Sequence, residues 1–279
     1  MKKLLAGLIF ASMLFSLAAC GTPAPAQTGS SDETPGVTGD LAAVKDKGKL
    51  VVGITNFAPM DYQEGDSGEW IGFDADMAKL FAQSLGVEAE FVEIAWGYKI
   101  MELDAGNIDC VWNGMTLNDE VKAGMSTSVP YCLNAQVLVV PRDKAVEFET
   151  LDTLEGLRVA VESGSAGEAA ALALGAETTA LQFQTDTLLE VSAGMSDAAV
   201  IDLLMAGAMI GEGTSYENLT YILNLNDMQG LPSEEYGVGF RKGSDLTDVF
   251  NIFWAGKVAD GTVLSTATTY GVQESVILD

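Results

Sequence analysis

Apolar runs in this chain are short and end on glycine or polar joints, the pattern of buried parallel strands alternating with amphipathic helices. Lys49–Thr55 reads as a first strand, followed by a loop over Asn56–Met60 and a hairpin around Gly65–Gly68. Asp74 stands as N-cap of a helix whose Met77, Leu80, Phe81 and Leu85 share one face, and Gly86 closes it. Val87–Ile94 is the second strand, and a helix through Ile100, Met101 and Leu103 ends near Gly106. The apolar run Ile108–Trp112 then breaks at Asn113-Gly114, and Thr116, Asn118, Asp119 and Glu120 lead into a capped helix. Strand and helix alternating in this way predict a parallel sheet covered by helices. Strand ends of this kind hold ligands in α/β proteins, through backbone N–H groups and the positive end of a helix. An ordinary strand-to-helix joint is spelled the same way.

The same grammar restarts at Arg158–Val161, whose strand runs into Ser163-Gly164-Ser165-Ala166-Gly167 and an Ala-rich helix over Glu168–Leu174. A helix around Leu188–Val191, the strand Ala198–Ile201 and a run Leu203–Ile210 capped by Asp202 complete a second α/β lobe. Tyr131–Val140 reads as a strand leaving the first lobe and Tyr236–Phe240 as the return. A last helix with Leu246, Val249, Phe250 and Phe253 on one face packs back on the first lobe. The expected division is therefore lobe 1 over residues 41–134 and 238–279, and lobe 2 over 135–237. Two crossings make a hinge, and the cleft between the lobes is the expected ligand site.

The first residues change the picture of where the protein works. Lys2 and Lys3 precede an apolar stretch, Leu4–Ala19, which is shorter than the roughly 20 residues that span a bilayer. Residues 1–19 read as a secretory signal. Residues 20–40 hold Pro23, Pro25 and Pro35 among small polar side chains and read as a flexible tether, because they cannot bury enough surface to offset their ordering entropy. The box Leu17-Ala18-Ala19-Cys20 resembles the bacterial lipobox, which implies that Cys20 carries lipid and anchors the chain outside the cytoplasm.

Composition excludes several classes. The 279 residues carry 14 basic and 40 acidic side chains, a net charge of −26 that repels nucleic acid and anionic lipid. Histidine is absent, which removes the commonest general base and every Ser-His or Cys-His nucleophile. Without histidine or CxxC pairs, neither a metal nor another cofactor is expected. Cys110, inside an apolar strand, and Cys132 are expected as free thiols.

In chain order, L-V-V-G-I-T with N-F-A-P-M-D-Y, W-I-G-F-D-A-D-M-A, N-G-M-T-L-N-D-E, V-P-Y, R-V-A-V-E-S-G-S, S-D-A-A-V-I-D, E-Y-G-V-G-F-R-K-G and A-D-G-T span nearly all of residues 49–272. This series resembles the family 3 extracellular solute-binding proteins, the polar amino-acid receptors of ABC importers. The resemblance implies an α/β, two-lobed, type II periplasmic-binding-protein-like fold, with each lobe a mostly parallel sheet flanked by helices and two hinge strands between them. It also implies a monomer that closes on an amino acid or small amine and delivers it to permease subunits. Carried over by residue, Phe57 lies over the ligand, Trp96 lines the side-chain pocket, Gly114 and Thr116 are backbone and hydroxyl donors, Ser165 is a donor at a helix start, and Asp202 pairs with the α-ammonium. Read from the residues alone, Phe57 and Trp96 are core aromatics, and Thr116, Ser165 and Asp202 are helix caps.

One position departs from the pattern. The family's motif ends in an arginine that clamps the ligand carboxylate, and Val121 stands there. The neighbouring Lys122 points about 100° away on a helix and lacks the planar fork. Either donors near Thr116 and Ser165 hold the carboxylate, or the ligand is an amine or a blocked acid with no free carboxylate, recognised by Asp202 and the aromatic wall. Two rival functions share the fold, a sensor not coupled to transport and a carboxylate-only dehydratase-like enzyme.

Overall fold

The computed structural model describes residues 39–279 apart from Glu64, Asp66 and Ser67. The expected signal segment, Cys20 and nearly all of the tether lie outside the described residues. Helix α1 (Asp40–Lys47) starts one residue inside the expected tether and ends on Gly48 at φ 72°. Strand β1 (Lys49–Ile54) follows, then the two-stranded hairpin β2 (Tyr62–Gln63) and β3 (Trp70–Ile71), then helix α2 (Phe73–Leu85) and strand β4 (Glu88–Glu93). The α2 face Phe73, Met77, Phe81 is fully buried, each such side chain contributing about 1.5–3 kcal/mol.

Asp74 is not the cap of α2. Gly72 precedes the helix at φ 125°, and Asp74 sits within the first turn with its carboxylate turned inward. A Cβ at position 72 would collide with the Met60 carbonyl, which explains the glycine.

Helix α3 (Lys99–Asp104) leads to strand β5 (Cys110–Thr116), which passes through Asn113-Gly114 rather than breaking there. The return strand, Glu234–Phe240, pairs with β5 on both sides of that dipeptide, Phe240 opposite Cys110 and Tyr236 opposite Thr116, with a register shift between them. The dipeptide is thus a bulge inside a strand, a common device beside binding sites. Helix α4 (Asp119–Gly124) begins only at Asn118, whose Oδ1 accepts from the Val121 N–H at 2.9 Å.

Strand β6 (Ser126–Thr127) and strand β7 (Cys132–Asn134) end the first pass through lobe 1, and one residue, Ala135, separates β7 from β8 (Gln136–Pro141). Lobe 2 continues with α5 (Ala145–Phe148), β9 (Arg158–Glu162), α6 (Ala166–Ala173), β10 (Glu177–Leu181), α7 (Gln184–Ser192), β11 (Ala198–Asp202), α8 (Leu203–Met209), β12 (Leu219–Asn224) and α9 (Leu225–Met228). The return strand, β13 (Glu234–Phe240), belongs wholly to the first sheet, so the second crossing precedes Glu234 rather than 238. Helices α10 (Leu246–Ala259) and α11 (Thr262–Tyr270) close the chain. As the apolar stripe implied, α10 packs on lobe 1, with Phe250 against Trp112 at 5.0 Å and Phe81 at 5.4 Å between ring centroids.

The first sheet runs β4-β1-β5-β13-β6, with β7 also on β13; β4, β1 and β5 are parallel and β13 is antiparallel. The second runs β10-β9-β11-β8-β12, parallel over its first three strands and antiparallel over the rest. Register at the crossings brings polar residues of both sheets together. Asn134 faces Glu234 across β7 and β13, and Gln136 faces Asp202 across β8 and β11. Cys110 and Cys132 are buried free thiols. No helix among the described residues is long and apolar enough to cross a membrane.

Candidate functional site

Residues from both lobes line one cleft, whose empty volume of about 420 Å³ is partly continuous with solvent. Its floor is set by the crossing strands. Asn134 and Gln136 flank Ala135, and successive side chains in an extended chain alternate, so both amides turn to the same side. Their target is Asp202, the last residue of β11. Asp202 Oδ1 accepts from Asn134 Nδ2 at 2.6 Å, Gln136 Nε2 at 3.0 Å and the Tyr236 hydroxyl at 2.7 Å, and Oδ2 accepts from Gln184 Nε2 at 2.7 Å.

Asp202 occupies the N-cap position of α8 yet makes no side-chain cap bond, so the cap reading fails. The carboxylate is only 7 % exposed and lines the cleft. Burial and the nearby Glu234 carboxylate push its pKa up to about 6, against the pull of its donors. Glu234 shares those donors: its Oε2 accepts from Gln136 Nε2 at 2.9 Å, the Thr116 hydroxyl at 3.0 Å and Asn134 Nδ2 at 3.2 Å. Glu234 on the return strand and Asp202 at the end of β11 are thus held together by the amides of Asn134 and Gln136, a repulsive arrangement that a cation would relieve.

The upper wall contains groups that the sequence did not single out. Lys99, 4 % exposed, reaches from α3 to the second lobe and donates to the Gly164 carbonyl at 3.0 Å and to the Trp96 carbonyl at 3.4 Å. Its ammonium lies 4.8 Å from the Trp96 ring centroid, and burial lowers its pKa. Glu162, the last residue of β9 and 4 % exposed, accepts from the Gln184 N–H at 3.2 Å. Burial, then Asp202, raises its pKa to about 8. The lobes touch where Gly164, at φ 73°, meets Gly97: a Cβ at 164 would stand 2.6 Å from Gly97 Cα.

On the first lobe, Phe57 covers Gly114 so closely that a Cβ there would collide with its ring, and Gly114 sits at φ 53°. Phe57 packs edge-on to Tyr236, with centroids 6.4 Å apart. The Gly114 N–H donates to Asp74 Oδ2 at 2.7 Å and is turned away from the cleft. Asp74 Oδ2 also takes the Tyr131 hydroxyl at 2.7 Å, and burial raises its pKa to about 7.

All of Phe57, Trp96, Gly114, Thr116, Ser165 and Asp202 line the cleft. The structure refines the expected donors: the Gly114 N–H is committed to Asp74 and the Thr116 hydroxyl to Glu234. Ser165 is the α6 N-cap, its Oγ accepting from the Glu168 N–H at 3.0 Å, which leaves the hydroxyl proton free. Val121 also lines the cleft. Sequence reasoning missed Lys99, Glu162, Gln184 and the Asn134/Gln136 pair. A charged residue ending an apolar strand directly before S-G-S, and two amides two apart in a buried strand, were the available signals. No group of three metal-ligating side chains occurs among the described residues.

Residues 50–273 match the bacterial extracellular solute-binding proteins, family 3, and the chain belongs to that family. It is similar to the arginine-binding extracellular protein ArtP of Bacillus subtilis, 30 % identical over 263 residues that cover 90 % of this chain and 91 % of ArtP. The L-cystine-binding protein TcyJ of Escherichia coli is 29 % identical over 233 residues, covering 81 % and 83 %. Among solved structures, a mutant of ArgBP from T. maritima superposes with a TM-score of 0.74 at 29 % identity, covering 83 % of this chain and 98 % of that one. The ancestral amino acid-binding protein AncCDT-1, a precursor of cyclohexadienyl dehydratase, gives 0.73 at 27 % identity over 82 % and 98 %. The two-sheet architecture is therefore the type II periplasmic-binding-protein fold, and the chain is a binding protein, not an enzyme.

Proposed function

We propose that this protein is the receptor of an ABC importer, anchored outside the cytoplasm by lipid on Cys20, and that it captures an amino acid by hinge closure. The observation that carries this reading is Asp202, a buried cleft-lining carboxylate held by the two amides of the first crossing and the Tyr236 hydroxyl of the return strand instead of capping its helix. Its ligand is the α-ammonium. That cation relieves the repulsion between Asp202 and Glu234 at the hinge, which links ligand capture to the lobes' relative position. The names of the similar proteins ArtP and TcyJ, which bind arginine and cystine, fit a zwitterionic amino-acid ligand.

For the carboxylate, two groups take the place of the arginine missing at Val121. The first is the start of α6, with the first-turn N–H groups that the Ser165 cap leaves over and the Ser165 hydroxyl proton. The second is Lys99, which spends two of its three protons on carbonyls and keeps one for a ligand oxygen. This favours an amino acid over a bare amine.

A thermal-shift screen of amino acids, their amides and small amines tests the reading. A ligand at 100 times its dissociation constant stabilises by about 2.7 kcal/mol, and each kcal/mol moves the midpoint by about 2–4 °C in a domain of this size. Free amino acids should shift the midpoint by about 5 °C or more and amides much less. Equal shifts for acid and amide would overturn the carboxylate assignment, and no shift with any amino acid would overturn the function.

A further inference from the structure

We propose that Glu162 is the counter-charge for a second cation on the ligand, so that the cleft selects an amino acid with a positively charged side chain. The inference rests on the amino-acid reading above and narrows it to a substrate class. The cleft wall carries two carboxylates, Asp202 and Glu162, and one ammonium, Lys99. With the ligand's α-ammonium on Asp202 and its carboxylate on Lys99 and the α6 start, a neutral side chain leaves Glu162 a buried neutral acid, whereas a cation beside it lets it ionise. A cationic side chain completes the balance.

Apart from its electrostatic attraction to the buried Lys99, Glu162 has no internal use that demands a charge. Its hydrogen bond is to the Gln184 N–H, which a glutamine at 162 would accept equally well without burying an ionisable group. Among the described residues no ammonium or guanidinium reaches ion-pair distance of it; Lys99 donates instead to backbone carbonyls of Trp96 and Gly164. A carboxyl group left neutral by burial, as its raised pKa of about 8 indicates, becomes a strong acceptor when a cation arrives. The groups facing it are Asp202 on β11, Gln184 on α7 and Lys99 on α3, so the only attractive charge is already placed to serve the ligand's carboxylate. Phe57 supplies an aromatic surface in the cleft for such a cation, the Trp96 ring being already engaged by the Lys99 ammonium.

The test is calorimetry on the full chain with L-arginine, its neutral isostere L-citrulline, L-lysine and L-glutamine, for the parent, Glu162→Gln and Glu162→Asp. The parent should bind arginine at least about 30-fold more tightly than citrulline, since loss of a buried counter-charge costs on the order of 100-fold. Glu162→Gln should bring that ratio within about threefold, and Glu162→Asp should keep most of the preference. Citrulline or glutamine bound as tightly as arginine by the parent would overturn the inference and leave the amino-acid reading standing. Binding of none of the four would overturn the inference, and the wider amino-acid screen would then decide the function. If Glu162→Gln does not fold, the parent's ratio and Glu162→Asp decide the matter.

Discussion

Replacing Asp202 with asparagine separates the structural from the ligand-binding work of this residue. The change removes a charge and turns one acceptor oxygen into a donor. If Oδ1 keeps its three partners, Asn134, Gln136 and Tyr236, the new amide group faces Gln184 Nε2, now 2.7 Å from Oδ2. One donor-to-donor clash in a buried site costs about 1–3 kcal/mol. Against it stands relief of an unfavourable charge. The rise of the Asp202 pKa from 3.8 to about 6 means that its ionised form is disfavoured in the fold by about 3 kcal/mol, mainly through burial and then Glu234. The two effects nearly cancel, so the melting midpoint without ligand should stay within about 5 °C of the parent. Ligand binding has no such compensation. An α-ammonium brought into the closed cleft without its partner loses about 3–5 kcal/mol, a 100-fold or greater loss of affinity. Calorimetry with the best ligand of the screen, paired with a melting curve, measures both. A dissociation constant within about fivefold of the parent, in a variant that melts normally, would refute the ammonium assignment.

Gly164→Ala should weaken ligand binding more than it lowers stability, because the added Cβ would stand 2.6 Å from Gly97 Cα where the lobes meet and φ is 73°; equal affinity by calorimetry would show that this contact is not part of the closed cleft. Stability without ligand should fall as pH rises from about 5 to 8.5. Asp202, Asp74 and Glu162 have folded pKa values raised to about 6, 7 and 8, so their contributions are full below the unfolded values and are lost as pH passes through the folded ones; a midpoint that climbs over this range would contradict the buried-acid account. Val121→Arg should raise the preference for free amino acids over their amides by about tenfold, since only the acid can use a bidentate fork; an unchanged acid-to-amide ratio in a variant that folds would mean that this face of α4 does not reach the carboxylate.

Most of the fold was legible because it is written in local patterns. The apolar runs Lys49–Thr55, Val87–Ile94, Arg158–Val161 and Ala198–Ile201 became β1, β4, β9 and β11 with ends moved by at most about one residue. The errors fall where a distant partner overrides a local signal. Asn113-Gly114 has the spelling of a strand end, yet β13, far along the chain, pairs on both sides of it and carries the strand to Thr116. Asp74 is a good cap by type, but Gly114 N–H and the Tyr131 hydroxyl offer it two buried donors, and those outweigh one helix-end N–H.

The site was legible in its outline and opaque in its charge. Phe57, Thr116, Ser165 and Asp202, which line the cleft, are identified through the resemblance to family 3; from the residues alone Phe57 reads as a core aromatic and the other three as helix caps. Lys99 sits instead inside a helical run with Ile100 and Leu103, and only the approach of Gly164 from the other lobe turns an ordinary lysine into a buried cation. Glu162 likewise reads as the polar end of an apolar strand until Asp202, on a second strand of the same cleft, raises its pKa alongside burial. Charge in a cleft is a property of two lobes together, so a one-dimensional reading that finds the lining residues can still misjudge which ligand they serve. The absence of arginine at 121 pointed to loss of a carboxylate clamp; Lys99 brings a positive charge to the same cleft from another helix, and once that charge is set against the ligand's carboxylate, the acid left over on the wall is Glu162.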